Sequence, residues 1–315
     1  MNPRFSVVAP VFNEEELIQE FYRRVRDAMD GLGESWELIL IDDGCRDKSP
    51  QLMDAIHAED PKHVVIVHFA RNFGHQLAIT AGMDYARGDA VTVIDSDLQD
   101  PPEVIPDLIA KWREGYEVVY AVRAEREGET WFKLFTARLF YHLIQALTDV
   151  TIPMEAGDFR LLDRSALDVL KQMRERNRFV RAMVAWIGFR QIGVPYKRHA
   201  RKAGETKYTV RKMLRLSLDA ITGFSIFPLK LAQWFGAAAV GLGILMALVL
   251  LIIRLGGAAP LAGQGLTASL VLFMGGVQLL GMGILGEYIG RIYDEIRNRP
   301  LYIVREVKRI MNHDS

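Results

Sequence analysis

The chain has 315 residues, with 39 Lys plus Arg against 39 Asp plus Glu and a formal net charge of zero. That balance removes the usual electrostatic argument for a nucleic-acid partner. A single cysteine, Cys45, excludes an intramolecular disulfide and a Cys-based zinc site. Charge is also segregated, because residues 231–286 contain one charged residue, Arg254, so a charged body precedes an apolar block. The opening MNPRFSVVAP lacks the basic and long apolar regions of a secretory signal.

Over the first 125 residues, short β-rich runs alternate with helical stretches. The predicted strands are 5–9, 36–41, 64–69, 90–95 and 117–122, and the predicted helices are 14–29, 50–57, 75–85 and 102–112. Continuous apolar strands, each followed by a helix, indicate an α/β protein with a mostly parallel sheet and helices on both faces. Ligands of such sheets bind beyond the carboxyl ends of the strands. The residues predicted there are Pro10 to Glu14, Asp42-Asp43-Gly44, Arg71 to His75, Asp95 to Asp100, and Arg123.

Residues 131–147 (WFKLFTARLFYHLIQAL) are helical in pattern, with Lys133 and Arg138 as their firm charges; residues 209–227 place Arg211, Arg215 and Asp219 on one face. Each stretch is either a membrane-interface helix or an ordinary core helix. Two runs follow without a charge: 23 residues over 231–253 and 32 over 255–286, the second interrupted by GGAAPLAGQG. A bilayer core needs ~20 apolar residues per helix. The expectation is therefore two transmembrane helices, about 231–254 and 266–288. The alternative is a pair of buried soluble helices.

Asp95 and Asp97 stand two apart at a predicted strand end, where both can share one face. Neighbouring carboxylates repel unless a cation joins them, and oxygen ligands favour Mg²⁺ or Mn²⁺. A lone D-x-D is a weak signal. Here it closes an apolar strand and continues as D-L-Q-D-P-P-E.

Pro10-Val11-Phe12-Asn13-Glu14, Asp42-Asp43-Gly44 and Asp95 to Pro102 together resemble the family-2, GT-A-fold glycosyltransferases, in particular the polyprenyl-phosphate subgroup. Further matches are Arg71 to Gly74, Gly157-Asp158-Phe159-Arg160, Gly204 to Tyr208 and Gly286 to Arg291. Cys45, where the family usually carries Ser, and Thr206 depart from the pattern. The resemblance implies a GT-A nucleotide-diphospho-sugar transferase fold in a catalytic domain over 1–160. It also implies an acceptor and interface region over 161–228, the two spans over 229–290, and a cytoplasmic tail over 291–315.

The implied reaction is inverting transfer of a sugar from a nucleoside-diphosphate donor to a polyprenyl phosphate at the cytoplasmic face of the inner membrane. UDP and a hexose such as glucose are favoured for the donor and undecaprenyl phosphate for the acceptor. Nucleotide-sugar contacts would come from Pro10, Phe12, Glu14, Asp42, Asp43, Arg71, Asp95 and Ser96, with Asp43 accepting a base N–H. Asp95, Asp97 and Gln99 would hold the Mg²⁺ or Mn²⁺. Asp158 would face the acceptor as a base or a positioning group, and Arg160 would pair with it or bind phosphate. The acceptor phosphate would meet Arg123, Lys133, Arg138, Arg160, Arg201, Lys202 and Lys207, with Arg201 and Lys207 as the main contacts of a clamp. A homotetramer is implied by resemblance, and a separate flippase is a further candidate partner. Two other readings, a processive polysaccharide synthase and a non-catalytic scaffold, are disfavoured: no Q-x-x-R-W motif occurs and the D-x-D carboxylates are intact.

Overall fold

The computed structural model describes residues 3–123, 156–197, 227–255 and 264–310. Contacts divide the chain into two units, Met1–Thr209 with Arg299–Ser315, and Val210–Asn298.

The first unit is built on β1 (Phe5–Val11), β2 (Trp36–Asp42), β3 (Val64–Phe69) and β4 (Ala90–Val93), each buried along its whole length. Burial on both faces explains why these strands read as apolar runs rather than alternating ones. Helices α1 (Ile18–Asp30), α2 (Ser49–Glu59), α3 (His75–Tyr85) and α4 (Ile105–Arg113) follow in turn. In α1 the buried residues Ile18, Phe21, Tyr22, Val25 and Met29 fall at helical spacing and form one stripe against the core. Helix α3 packs more closely. A Cβ on its Gly82 would lie 2.1 Å from Val8 Cγ1 and 2.7 Å from Ile41 Cδ1, so this contact with β1 and β2 requires glycine.

Five elements were not anticipated. They are β6 (Ala156–Asp163), α5 (Arg164–Gln172), α6 (Val180–Trp186), β7 (Gln191–Tyr196) and β8 (Val304–Lys308). With β5 (Val118–Arg123) they complete a sheet of order β7-β5-β6-β4-β1-β2-β3-β8. Parallel pairing covers β4-β1-β2-β3 and β5-β7, while β6 runs antiparallel to both β4 and β5, and β8 antiparallel to β3. The sheet is therefore mixed. The predicted strand 90–95 stops at Val93, so Asp95 belongs to the following loop.

A polar chain crosses the end of this sheet. Buried His68 places Nδ1 2.8 Å from Asp42 Oδ2 and Nε2 3.0 Å from Asp54 Oδ1. Lys308 of β8 pairs with the same Asp54 oxygen at 2.8 Å, and Asp42 accepts the Cys45 N–H at 2.8 Å.

The second unit contains α7 (Phe227–Leu255) and α8 (Gln264–Ile296), of 29 and 33 residues, which contact each other. Among the described residues no helix is long and apolar enough to cross a membrane; the side chains of Met246, Ala247, Leu250, Leu251 and Ile253 are not among those described.

Both His68 nitrogens face carboxylates, which calls for the imidazolium, the form that donates from both. The hydrogen bond to Asp42, then that to Asp54, raises the His68 pKa against the opposing effect of burial. A raised folded pKa gives stability that is complete below the unfolded value of about 6.5 and fades as pH rises through the folded value. In detergent-solubilised protein, melting temperature should therefore fall as pH rises above about 6.5. His68→Gln should flatten that slope and cost on the order of 3 kcal/mol at pH 6. Parallel pH profiles for the two proteins would remove His68 as the source.

Candidate active site

The site begins with a turn locked by a carboxylate. Asp43, buried just past β2, accepts hydrogen bonds from the Phe73 N–H (2.7 Å), the Gly74 N–H (3.1 and 3.2 Å) and Asn72 Nδ2 (2.9 Å). Its neighbour Gly44 has φ +68° and lies so close to the 71–72 backbone that a Cβ would fall 2.4 Å from Asn72 N. Burial raises the Asp43 pKa while the loop N–H groups pull it down, and the net direction is up. Asp43, expected to accept from a nucleotide base, also holds residues 72–74 through its oxygens, and Asp42, expected beside it, is engaged with His68 and Cys45.

The locked turn leads into α3, whose N-terminus lies at the carboxyl edge of the sheet. Its first residue, His75, reaches the acidic loop, with Nε2 3.5 Å from Asp95 Oδ1 and 3.3 Å from Asp158 Oδ2. Antiparallel pairing of β4 with β6 sets Val93 opposite Arg160, and continuing that register by two residues brings Asp158 across from Asp95. Two acids 63 positions apart in sequence thus face each other.

Burial alternates along the loop. Asp95, Asp97 and Gln99 are half-buried, whereas Ser96, Leu98 and Asp100 are buried. The three expected metal ligands therefore share the more open side. Ser96 donates to the Pro10 carbonyl at 2.8 Å, Tyr196 donates to Asp100, and the Gln99 N–H donates to Asp97 Oδ1 at 3.1 Å. Leu98 has φ +58°, a strained value for a buried bulky side chain.

Asp158 is the most heavily engaged member. Arg181, on α6, grips it with both arms: Nε to Oδ1 at 2.8 Å and Nη2 to Oδ2 at 3.1 Å. Gln76 Nε2 lies 3.4 Å from Oδ2, and the Gln76 carbonyl oxygen accepts the Val180 N–H at 3.0 Å, which ties α3 to the start of α6. Burial would raise the Asp158 pKa, but the Arg181 charge, followed by the His75 and Arg181 hydrogen bonds, holds it far below the usual carboxylate range. Burial likewise opposes protonation of His75, yet the bond to Asp158 and the charges of Asp95 and Asp158 hold its pKa at about 9. Asp95 is pushed up to about 6 by burial and by its acidic neighbours, with His75 opposing.

Arg160 does not take the pairing role open to it. Its Nη2 donates to the Gly157 carbonyl at 2.7 Å, its Nε is buried without a hydrogen-bond partner, and burial pulls its pKa down to about 10 against the pull of Asp158. Arg123 stands on the other side of Gly157, with Nη2 3.5 Å from where a Cβ of that residue would be. Phe12, 38% exposed, projects at the end of β1. The Glu14 N–H donates to Ser49 Oγ at 2.9 Å. Arg71 stacks on Phe73, 4.0 Å from the ring centre, and donates to the Asn72 carbonyl. Lys133, Arg138, Arg201, Lys202 and Lys207 lie outside the described residues. Gln76 and Arg181 were missing from the expected site, and His75, placed at the sheet edge by the sequence, had been given no role there. Arg181 sits 23 residues beyond Asp158 on a separate helix, and no local pattern pairs them.

The fit of a divalent cation can be judged from this geometry. Asp95 Oδ1 is buried without a hydrogen-bond partner, in a cluster that also holds Asp97, Asp100 and Asp158. Among the described residues no group of three or more His, Cys, Asp or Glu is arranged to hold a metal by itself. Few protein ligands beside an unpartnered carboxylate oxygen suit Mg²⁺-like binding, in which one or two carboxylates share the ion with substrate phosphates.

Comparison with known proteins agrees with this picture. Residues 6–171 match the family model described as glycosyl transferase family 2. An uncharacterized glycosyltransferase of Bacillus subtilis is 50% identical over 98% of this chain and 95% of its own length. The SfII prophage-derived bactoprenol glucosyl transferase of Shigella flexneri is 41% identical over 97% of this chain and 99% of its own. An undecaprenyl-phosphate 4-deoxy-4-formamido-L-arabinose transferase of Pseudomonas aeruginosa is 39% identical over 96% and 90%. Among solved structures, mannosyl-3-phosphoglycerate synthase from Rubrobacter xylanophilus superposes with a TM-score of 0.50 at 15% identity, covering 70% of this chain and 72% of that one, which is a likeness of fold. The mixed sheet with its flanking helices is consistent with the GT-A fold. With a family model across more than half of the chain and relatives matching it nearly end to end, the chain belongs to glycosyl transferase family 2.

Proposed function

We propose that this glycosyltransferase moves a sugar, a UDP-linked hexose such as glucose, onto a polyprenyl phosphate such as undecaprenyl phosphate at the cytoplasmic face of the inner membrane. The observation that carries the reading is the cluster in which Asp95 and Asp97 stand beside the Asp158–Arg181 pair, acids and cations together beyond the carboxyl ends of parallel strands. The bactoprenol and undecaprenyl-phosphate transferases among the relatives suggest the acceptor class.

Asp95 and Asp97, with Gln99, would hold a Mg²⁺ or Mn²⁺. When bound, that ion offsets negative charge on the leaving diphosphate. Phe12 offers a ring to the nucleotide base, and the Asp43-locked turn fixes the floor beside it. The attacking group is a phosphate oxygen. Because a phosphate monoester has its second pKa near ~6, it is already largely dianionic at neutral pH. The chain must therefore supply cations that bring two anions together, more than it must supply a base. Arg181, paired with Asp158, and Arg123, beside Gly157, are the cations available for that purpose.

The proposed membrane arrangement rests on several features. The two helices run 29 and 33 residues and expose Trp234, Phe235, Leu255, Leu280 and Ile296. Chain on both sides of the helical unit belongs to the catalytic unit, so two crossings return it to the side it left. Arg211, Lys212 and Arg215 precede α7 and Lys230 lies in its first turn, Arg291 lies near the end of α8 and Arg297, Arg299 and Arg305 follow it, while 256–265 carries no basic residue.

Purified full-length protein in detergent should convert UDP-glucose and undecaprenyl phosphate to UDP and the glycolipid. Excess EDTA should stop the reaction, and Asp97→Asn should lower turnover by about 10²-fold or more with an unchanged melting temperature. Full turnover in EDTA would exclude the assigned cation site. The topology has its own check. Burial raises the Cys45 thiol pKa and keeps that thiol unreactive, so a cysteine introduced at Ser315 gives a clean signal. It should react with an impermeant maleimide in inverted vesicles and not in intact spheroplasts. The reverse pattern would refute the arrangement.

A further inference from the structure

Within this reading, the role of Asp158 can be taken a step further. A group that removes a proton from the acceptor must be open to it and must have an oxygen to offer. Asp158 meets neither condition. Its side chain is 7% exposed, and its two oxygens face Arg181 Nε, Arg181 Nη2, His75 Nε2 and Gln76 Nε2. The Arg181 side chain, at 29% exposed, is the more accessible member of the pair. Gln76 fastens the first turn of α6 through Val180, so the guanidinium is fixed at its root as well as at its tip.

We propose that Arg181 is a contact for the acceptor phosphate and that Asp158 is a positioning residue acting through it, holding the guanidinium at the mouth of the crevice. A planar guanidinium matches phosphate oxygens in fork geometry, and its hydrogen bonds to an anion are charge-assisted. A carboxylate that grips Nε and one Nη removes most of the rotamer freedom the long side chain would otherwise lose on binding. Arg160, by contrast, is buried with Nη2 on a backbone carbonyl, which makes it part of the wall behind Asp158.

Steady-state kinetics on the full-length protein in detergent test this with four variants: Arg181→Ala, Arg181→Lys, Asp158→Asn and the Arg181→Ala/Asp158→Asn double. Arg181→Ala should raise the KM for undecaprenyl phosphate by about 10-fold to 100-fold, the range for hydrogen bonds to charged groups. UDP binding, measured by calorimetry with Mn²⁺ present, should change by less than about twofold. Arg181→Lys should recover part of the loss. Asp158→Asn should shift acceptor KM in the same direction, yet add less than about threefold when Arg181 is already Ala, because the two residues act as one unit.

Two kinetic outcomes would overturn the proposal. One is a fall in kcat with unchanged acceptor KM in Asp158→Asn, of equal size in both backgrounds, which is the behaviour of a base. The other is weakened UDP binding with unchanged acceptor KM in Arg181→Ala, which would move Arg181 to the donor diphosphate. Melting temperatures identify any variant that fails to fold, and the Lys variant then carries the comparison. If the wild-type protein binds UDP but transfers no sugar to undecaprenyl phosphate, the proposed function fails. The Arg181 assignment is then judged by binding of geranyl phosphate to the UDP-loaded protein: weakening in Arg181→Ala or Arg181→Lys supports it, and unchanged binding rejects it.

Discussion

Repulsion between carboxylates gathered at one sheet edge is the constraint on which this molecule is organised. Asp95, Asp97, Asp100 and Asp158 converge where the low-dielectric sheet offers little screening. Each is relieved differently: Asp100 by the Tyr196 hydroxyl, Asp158 by Arg181 and His75, and Asp97 in part by the Gln99 N–H. Asp95 alone among them has a buried oxygen without a hydrogen-bond donor, and His75 at 3.5 Å balances its charge without bonding to it. A buried oxygen in that condition is costly unless a cation completes it.

The backbone that creates this crowding also controls it. Strand β6 enters the sheet antiparallel between β4 and β5, and its register sets Asp158 against Asp95. A slip of one residue would turn Asp158 to the opposite face of the sheet. On the other flank, Asp43 holds the 72–74 turn, and that turn fixes where α3 begins and so where His75 stands. The fit of Gly82 against Val8 and Ile41 fixes the distance of α3 from the sheet. Position of the site is thus a property of sheet register and helix approach rather than of any single loop.

This explains which parts were legible in the sequence. Strands β1 to β5 and helices α1 to α4 each carry their signal locally, as apolar runs bounded by turns, and the expected strand 64–69 and helix 75–85 match the observed bounds. The D-x-D loop and the Asp42-Asp43-Gly44 turn were visible for the same reason. Strands β6, β7 and β8 are mixed in polarity: Ala156–Asp163 carries Asp158 and Arg160 in its middle, and Val304–Lys308 has three charged residues of five. Such segments become strands because a partner edge is present, and periodicity does not announce that. Pairing at long range was invisible too. Nothing near Asp158 in sequence points to Arg181 or His75, and nothing near His68 points to Asp42 and Asp54. Asp43 was visible as a residue, but the hydrogen bonds by which it anchors the 72–74 turn were not.

The facing acids Asp95 and Asp158 show how one fold gives identical groups different work. They are the same residue type, at matching positions of an antiparallel pair, yet their pKa values are driven in opposite directions. The cause is the arrangement of donors. Arg181 and Gln76 approach from α6 and α3, and both reach the oxygens of Asp158; neither has a bond to Asp95. His75 sits between the two acids but is closer to Asp158. Asp158 is therefore a fixed anion already matched by protein cations, so further positive charge gains little from it. Asp95 is short of positive charge, so it offers an incoming cation the greater gain. Donor placement on two helices, rather than any difference in the acids themselves, assigns one carboxylate to the protein and leaves the other for a ligand.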